Sequence, residues 1–381
     1  MPQLVALDLP GGAPFVDALR RVWDAGDAAA PLDPRLPAAA RRAAIAALAP
    51  GSVVDASGER SALDGGRPVE PGDALVLTTS GSTGTPRGVV LTHDAVAASA
   101  HATTARLGVD PLRHHWLACL PLAHIGGLSV VTRALLTDTP LTVVAGFDAA
   151  GVEELGRSGG VTHVSLVATA LQRLDASVFD LVLLGGAAPP GDVPDNVVAT
   201  YGMTETGSGV VYDGRPREGV DIAIGDGTEG EPGEILVRCP MLLRAYRDGT
   251  DPRRTGSDGS GGWLATGDAG RLLADGTLAV DGRLAEVIVT GGEKVWPAGV
   301  EAALANHPKV AEVAVWRRAD PEWGQRVVAW VVPAPEGAPT LDELVDLVRA
   351  SLPPWAAPKE LVLVTSLPRT GPGKVARRAL S

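Results

Sequence analysis

The chain has 381 residues, 45% of them hydrophobic and 20% charged, which excludes both a small binding module and a chain disordered throughout. Its 45 acidic and 33 basic residues give a formal net charge of −12, so the overall field disfavours nucleic acid as a partner. The two cysteines, Cys119 and Cys239, have no CxxC or CxxH neighbours, which argues against a disulfide framework or a zinc site.

Neither end of the chain nor its apolar runs indicate a membrane protein. The N-terminal MPQLVALDLPGG lacks a basic segment followed by an apolar one, as a signal peptide would have. No stretch reaches the roughly 18 uninterrupted apolar residues of a membrane span. We therefore expect a cytoplasmic protein with no membrane partner.

Short apolar runs alternate with Ala- and Leu-rich segments of helical spacing between residues 74 and 199. The runs predict the strands Ala74–Thr79, Trp116–Leu120, Leu141–Val144, Val161–Val167, Asp180–Leu184 and Asn196–Ala199. The segments between them predict the helices His93–Leu107, Leu128–Leu136, Ala149–Leu155 and Ala168–Leu174. Strands buried on both faces that alternate with helices are typical of a parallel α/β sheet.

The pattern changes after about Gly214, where shorter strands are separated by Gly/Asp turns. This region predicts antiparallel strands at Glu234–Arg238, Ala269–Leu273, Thr277–Val280 and Glu286–Thr290. The segment 248–262 has no apolar anchor and is predicted to be a solvated loop. A last unit contains the strands Val310–Trp316, Val327–Val332 and Leu361–Thr365 and the helix Leu341–Ala350. We place the domain boundary between residues 283 and 284, giving domains 1–283 and 284–381.

A Gly-rich loop, SGSTGTPRG, directly follows the strand ALVLTT. Its glycines let backbone N–H groups turn inward, its hydroxyls add donors, and Arg87 adds a positive charge, all of which suit a polyphosphate. The loop does not satisfy the Walker A spacing. By itself it is equally consistent with a surface turn.

Six further segments stand downstream of this loop in a fixed order. They are PLAHIGG, LLGGAAPP, TYGMTETG, TGD, DGRLAEVIVTGGEKVWPAGVE and LPRTGPGKVARRAL. Together with TTSGSTGTPRG, they resemble the signature segments of the acyl- and aryl-adenylate-forming superfamily, which includes acyl-CoA synthetases. The resemblance covers about 310 residues. It implies an α/β fold with a large N-terminal domain, made of parallel α/β layers plus a small β subdomain, and a small mobile α+β C-terminal domain.

The resemblance assigns a nucleotide site. In the family the Ser/Thr/Gly loop holds the β- and γ-phosphates of ATP, which here implies Thr79, Ser80, Gly81, Ser82, Thr83 and Gly84. Arg87 stands where the family usually has lysine, so the charge is kept but a planar fork replaces a point charge.

Further family roles fall on the adenine, the ribose and the metal. The resemblance implies that Gly185, Gly186, Ala187, Tyr201 and Gly202 lie along the adenine. Thr204 would bond the α-phosphate and Glu205 would reach Mg²⁺, a hard cation that suits one carboxylate plus substrate phosphates. Asp268 would accept the ribose hydroxyls, and Arg283 would contact the same ribose.

The C-terminal segments imply a two-step reaction. Lys374 matches the family's mobile lysine, which stabilises charge between the attacking carboxylate and the α-phosphate. In the family the C-terminal domain then rotates, which here would bring GGEKVWP, residues 291–297, to the site for coenzyme A. The hinge position, usually Asp or Lys, is Ala285 here, and a hinge needs only a residue able to absorb the φ/ψ change.

The residues of the predicted acid pocket resemble those of one group of enzymes within the superfamily. His124 matches the family's pocket histidine and belongs to both the catalytic and the acid-binding sets, while the usually aromatic residue before it is Ala123. Gly207 completes the acid-binding set. PLAHIGGLSVVTR and VTHVSLVATALQRL look most like the o-succinylbenzoate–CoA ligases of menaquinone synthesis, in which an arginine nine positions after the histidine pairs with a substrate carboxylate. That position here is Arg133; a structural ion pair is the alternative.

The resemblance therefore implies ATP- and Mg²⁺-dependent ligation of coenzyme A to o-succinylbenzoate, with an acyl-adenylate intermediate. Only 78 residues precede the loop, about half the usual number, so the first subdomain is expected to be trimmed. The alternatives are a ligase for another aryl or acyl acid, a carrier-loading adenylation enzyme, and a non-catalytic nucleotide-binding relative. The presence of Lys374 and Glu205 counts against the last of these. Association of identical chains stays open.

Overall fold

The computed structural model describes residues 1–80, 86–186, 193–225, 232–254, 261–369 and 375–380. For Ser80 and Pro86 it describes the backbone alone. The chain forms two compact units. The first contains Met1–Ile222 and Val237–Leu264, and the second contains Ala223–Leu236 and Ala265–Ser381. The predicted boundary at residues 283 and 284 concerns which parts move together, and it stays a prediction.

Six helices of the first unit lie within the described residues. They are α1 (Ala13–Asp24), α2 (Ala38–Leu48), α3 (His93–Leu107), α4 (Ile125–Leu136), α5 (Ala149–Arg157) and α6 (Ala168–Leu171). Local signals set the ends of α3, because the Thr92 hydroxyl accepts from the Ala95 N–H at 3.1 Å and Gly108 leaves the helix at φ +61°. The sequence predicts α3 with these same bounds.

A seven-stranded mixed sheet forms the first layer of this unit. Its strands are β1 (Leu4–Leu7), β2 (Ala28–Pro31), β3 (Ser52–Val54), β4 (Arg60–Ala62), β5 (Asp73–Ser80), β6 (Pro86–Thr92) and β16 (Ala245–Tyr246), in the order β16-β6-β5-β2-β1-β3-β4. β1 pairs in parallel with β2 and β3, whereas β5 and β6 form an antiparallel hairpin. Leu4, Leu48 and Val76 belong to the core cluster of this layer.

The second seven-stranded sheet contains five of the six strands that the sequence predicts for a parallel sheet; the sixth, Ala74–Thr79, is wrong in its placement and falls in β5 of the first sheet. Its strands are β7 (Trp116–Ala118), β8 (Leu141–Val143), β9 (His163–Val167), β10 (Leu181–Gly185), β11 (Val197–Met203), β12 (Ser208–Tyr212) and β13 (Arg215–Pro216). Their order is β13-β12-β11-β10-β9-β7-β8. The pairs from β8 to β11 are parallel, and β12 and β13 add an antiparallel edge. Leu117, Val164, Val182 and Phe179 pack in its core with α5 residue Val152.

Antiparallel structure follows, as predicted. The strands are β14 (Asp221–Gly225), β15 (Gly233–Arg238), β17 (Arg253–Arg254), β18 (Trp263–Leu272) and β19 (Leu278–Arg283), in the order β14-β15-β18-β17 with β19 on β18. β18 begins six residues earlier than the predicted strand Ala269–Leu273. The predicted loop 248–262 contains β17, and its residues 255–260 lie outside the described ones.

The C-terminal part of the second unit is α+β. Its strands are β20 (Ile288–Thr290), β21 (Glu293–Val295), β22 (Val310–Asp320), β23 (Gly324–Pro333) and β24 (Glu360–Leu363), and its helices are α7 (Pro297–Leu304) and α8 (Leu341–Arg349). Val300, Val327 and Leu344 share a core in which both helices take part. Trp316, Trp330 and Leu367 belong to a second core cluster.

No helix among the described residues is long and apolar enough to cross a membrane. Both cysteines are free thiols, and burial raises the pKa of Cys119 to about 12. A thiol that stays protonated is a poor nucleophile, so Cys119 acts as a small core residue.

Candidate active site

The β5–β6 hairpin carries the predicted phosphate loop. Thr79 and Arg87 are directly opposite one another in its ladder. Gly81, Ser82, Thr83 and Gly84 lie outside the described residues, and the side chain of Ser80 does too. The Arg87 guanidinium stacks 3.8 Å from the centre of the Tyr246 ring and forms an ion pair with Asp248 at 3.1 Å. The hairpin thus presents a held cation beside the loop.

The Tyr201–Gly207 segment is held by a hydrogen bond to the Thr206 side chain and by close backbone packing at Gly202. A 3₁₀ turn, Thr204–Thr206, follows β11, and the buried Thr206 hydroxyl accepts from the Met203 N–H at 2.9 Å. A Cβ on Gly202 would lie 2.2 Å from the Ser208 carbonyl oxygen, so only glycine fits there. Gly207 ends the turn at φ +68°.

One tyrosine connects the Arg87 cation to Glu205. The Tyr246 hydroxyl donates to Glu205 Oε1 at 3.1 Å, while the same ring lies under Arg87. Burial and the nearby Glu205 carboxylate raise the pKa of Tyr246 to about 12, so the hydroxyl remains a donor. The structure therefore brings together two residues that the sequence places 118 positions apart in separate motifs.

Glu205 fits the metal role that the resemblance implies. Among the described residues, no group of three or more His, Cys, Asp or Glu side chains could hold a metal ion. A metal here would thus depend on one carboxylate, with oxygens of the substrate completing its shell. Mg²⁺ is normally bound in this way, because it keeps waters and substrate phosphates as ligands.

The predicted adenine residues follow neighbouring parallel strands. β10 ends at Gly185, Gly186 continues at φ +86°, and Tyr201 and Gly202 stand near the carboxyl end of adjacent β11. The Thr200 hydroxyl bonds the Leu184 carbonyl at 3.0 Å and fixes this pair of strand ends. Ala187 lies outside the described residues. In open α/β sheets, ligands bind at the carboxyl ends of the strands.

Asp268 and Arg283, the predicted ribose residues, face each other across β18 and β19 of the second unit. Their side chains form an ion pair at 2.8 Å, in which the Asp268 side chain is 8% exposed and that of Arg283 is 51% exposed. The Thr266 hydroxyl accepts from the Asp268 N–H at 3.1 Å and fixes the backbone at this position. The pair is preformed by strand register.

The predicted acid-binding residues lie on one helix. His124 is the N-cap of α4 and is partly exposed, with the Asp33 carboxylate within electrostatic range. Arg133 is in the last turn of α4 and is only 2% exposed. Its guanidinium lies 4.7 Å from the centre of the Trp116 ring, and its Nε and Nη1 atoms are buried with no hydrogen-bond partner in the described part of the chain.

No carboxylate among the described residues bonds to Arg133, so the structure gives no support to the alternative of a structural ion pair. Burial lowers the pKa of Arg133 to about 10, and the nearby Arg217 also lowers it. The side chain remains a cation at neutral pH. A buried cation of this kind favours an anionic ligand.

The C-terminal predictions concern Lys374 and the hinge residue Ala285. Lys374 lies outside the described residues. Ala285 lies in the 3₁₀ turn Leu284–Glu286, and the Val287 carbonyl accepts from Arg317 at 3.3 Å. The hinge role of Ala285 stays a prediction.

Sequence reasoning did not find Tyr246, Asp248, Asp33 or Arg217. Tyr246 carries a weak signal, as one of only three tyrosines in the chain. The other three have charged side chains in loops, and only the fold shows what each of them contacts.

Comparison with known proteins defines the family. The model of the AMP-binding enzyme family matches residues 47–247, and that of the AMP-binding enzyme C-terminal domain matches residues 299–374. The chain belongs to the AMP-binding enzyme family. Within this family it is 40% identical over 345 residues to the probable 2-succinylbenzoate–CoA ligase of Mycobacterium tuberculosis, which covers 84% of this chain and 86% of that relative.

Two solved structures of the family share this fold. The o-succinylbenzoate CoA synthetase of Bacillus subtilis, in complex with the acyl-adenylate intermediate OSB-AMP, matches with a TM-score of 0.87 and 28% identity. The match covers 99% of this chain and 88% of that one. The same B. subtilis protein in complex with ATP and magnesium ion matches with a TM-score of 0.84 and 27% identity, over 99% of this chain and 89% of that one.

Proposed function

We propose that this AMP-binding enzyme ligates coenzyme A to 2-succinylbenzoate in two half-reactions. First, a substrate carboxylate oxygen attacks the α-phosphorus of ATP, which forms the acyl-adenylate and releases pyrophosphate. Second, the coenzyme A thiol attacks the acyl carbon, which forms the thioester and releases AMP. The observation that carries this proposal is the similarity, along 84% of the chain, to relatives that bear this name.

In this proposal the nucleotide binds at the carboxyl ends of the β5, β10 and β11 strands. The loop from Thr79 to Gly84 holds the β- and γ-phosphates with Arg87 beside it. The strand ends described above, with Ala187, hold the adenine. Thr204 bonds the α-phosphate through its hydroxyl, since it starts the turn that Gly202 and Thr206 make rigid.

Glu205 would hold Mg²⁺ together with substrate phosphates. The ion would supply charge neutralisation of the phosphate oxygens. The chain itself supplies orientation, because Tyr246 donates to one carboxylate oxygen of Glu205 and leaves the other for a ligand.

Asp268 and Arg283 would bind the ribose. A carboxylate accepts two hydroxyl hydrogens at once, and the ion pair with Arg283 holds the Asp268 carboxylate in place. Ribose hydroxyls would therefore meet a carboxylate already fixed in orientation.

The second domain, residues 284–381, is proposed to serve both half-reactions. Lys374 would stabilise the charge that develops as the carboxylate attacks phosphorus. A rotation at Ala285 would then replace Lys374 with the segment 291–297 for the thiol step. The cytoplasmic location and association of identical chains also stay predictions.

The acid pocket is proposed to lie along α4. His124 at its N-cap and Gly207 would bound the reacting end of the acid, and Arg133 would pair with the carboxylate that does not react. A diacid needs such a cation, since an unpaired buried carboxylate costs several kcal/mol.

A coupled assay with ATP, Mg²⁺, coenzyme A and 2-succinylbenzoate tests the proposal, and thioester with stoichiometric AMP is the expected product. Pyrophosphate exchange with a panel of benzoates and fatty acids separates the alternatives. A preference for an acid with a single carboxylate would contradict the proposed substrate. ATP binding without product from any acid would indicate a non-catalytic relative.

A further inference from the structure

Arg217 is a second buried arginine that bonds to no carboxylate of the described residues. It follows β13 and is 2% exposed, and its own N–H bonds the Val210 carbonyl at 3.0 Å. Its Nη1 donates to the Ser99 carbonyl at 3.2 Å and to the Thr103 hydroxyl. Its Nε and Nη2 atoms are buried and have no hydrogen-bond partner among the described residues.

Arg217 and Arg133 lie among the packed elements α3, α4 and β12. The Arg217 guanidinium lies 5.2 Å from the centre of the Tyr212 ring, and the Tyr212 hydroxyl lies 3.0 Å from the Thr103 hydroxyl that Arg217 contacts. The α4 helix, which carries Arg133, packs against α3 and β12, the elements that carry Thr103 and Tyr212. The two cations therefore share one buried region, although they come from α4 and from the segment after β13.

Several buried donors of this region have no acceptor within the part of the chain that the structure describes. Nine buried side-chain N or O atoms of the described residues lack a partner, and five of them are N–H donors of Arg133, Arg217 and Trp116. Buried polar groups are normally hydrogen-bonded and buried cations normally paired. A shared deficit of acceptors around two like charges indicates an anion that completes the region when it binds.

We propose that Arg217 joins Arg133 in one anion site that takes the carboxylate of the acid that is not adenylated. This inference rests on the proposed function for the identity of the acid. Guanidinium groups bind carboxylates through two parallel N–H···O bonds, and the Nε and Nη2 atoms of Arg217, which have no partner among the described residues, form such an edge. The Nε and Nη1 atoms of Arg133 point in different directions, so Arg133 would donate to the anion through one of them. The Trp116 and Tyr212 rings beside the arginines suit an aromatic acid.

The test compares Arg217→Met and Arg133→Met with Arg215→Met, an exposed control in the same hairpin. Pyrophosphate exchange is measured with 2-succinylbenzoate and with two analogues that each lack one carboxylate, 4-oxo-4-phenylbutanoate and 2-butanoylbenzoate. Loss of one partner of a buried charge pair predicts a rise of roughly 30-fold or more in KM for the diacid. The KM for ATP, the kcat, and the KM for the analogue without the non-reacting carboxylate should change less than threefold.

A structural role for Arg217 would give a different pattern. It predicts equal losses with the diacid and with the analogue that keeps only the reacting carboxylate, and that result would overturn the proposal. An anion site predicts that the diacid raises the melting temperature of the wild type and leaves that of Arg217→Met unchanged. If the Met variant does not fold, Arg217→Lys should fold and raise KM for the diacid several-fold; an unchanged KM would overturn the proposal.

Calorimetric titration of 2-succinylbenzoate without coenzyme A separates this inference from the proposed function. If the wild type binds 2-succinylbenzoate but forms no product, and Arg217→Met does not bind it, the site is supported and the function is refuted. Product formation with equal diacid affinity in wild type and Arg217→Met would refute the site and leave the function intact.

Discussion

Tyr246→Phe removes one hydroxyl and keeps the ring that stacks on Arg87. The lost hydrogen bond joins Tyr246 Oη and Glu205 Oε1 at 3.1 Å. A hydrogen bond to a charged group contributes about 1.5–3 kcal/mol, and the partial exposure of Glu205 puts this one near the lower value. Because 1.4 kcal/mol corresponds to a factor of ten, the free Mg²⁺ needed for half-maximal activity should rise roughly tenfold.

The assay is pyrophosphate exchange at fixed ATP and acid over a series of free Mg²⁺ concentrations. Asp248→Asn is the matched control, since Asp248 pairs with Arg87 and no described contact joins it to Glu205. This control should raise the KM for ATP and leave the Mg²⁺ dependence alone. An unchanged Mg²⁺ curve for Tyr246→Phe would refute the idea that Tyr246 orients the metal carboxylate.

Three other changes probe the reaction, the turn and the core. Lys374→Ala should abolish adenylate formation yet still pass a supplied acyl-adenylate to coenzyme A, and equal damage to both half-reactions would contradict domain rotation. Gly202→Ala should lower the free energy of unfolding, measured by urea titration, by about 3 kcal/mol, because the added Cβ would meet backbone atoms at 2.2 and 2.6 Å. Gly146→Ala is the control: its Cβ would meet nothing within 4 Å, so the free energy of unfolding should not change. Burial lowers the pKa of His163 from 6.5 to about 4, and the nearby His114 contributes to this shift. The neutral imidazole therefore stabilises the fold fully above pH 6.5, and this stability is lost as the pH falls toward 4. His163→Gln should therefore reduce the loss of stability between pH 7 and pH 5 by about 2 kcal/mol, and an equal loss in both proteins would contradict this.

The sequence predicts the parts of the fold that local patterns determine. The strands of the second sheet are apolar runs, and α3 has a threonine cap and a terminal glycine. The first 73 residues gave no prediction, although they contain β1 to β4 and two helices. β2, Ala28–Pro31, shows why: its AAAP sequence has low strand propensity, and only burial between β1 and β5 makes it a strand.

The candidate site divides in the same way. Thr79, Glu205 and Asp268 stand in short motifs that a sequence can reveal. Tyr246 and Arg217 act through contacts with residues 41 and 114 positions away, Glu205 and Thr103. Such contacts depend on strand pairing and helix packing, which no local pattern encodes.

Both edge strands of the second sheet are very short. β8 has three residues and β13 only two, and Pro216 of β13 has no N–H to offer to a further strand. A neighbouring copy therefore finds almost no ladder to extend, which protects a layer rich in valine and leucine from edge-to-edge polymerisation. The residue that closes the sheet also directly precedes Arg217, so its fixed φ angle limits where that backbone can go. Pro216 thus limits strand addition at the sheet edge and also restricts the backbone that carries Arg217, the proposed carboxylate ligand.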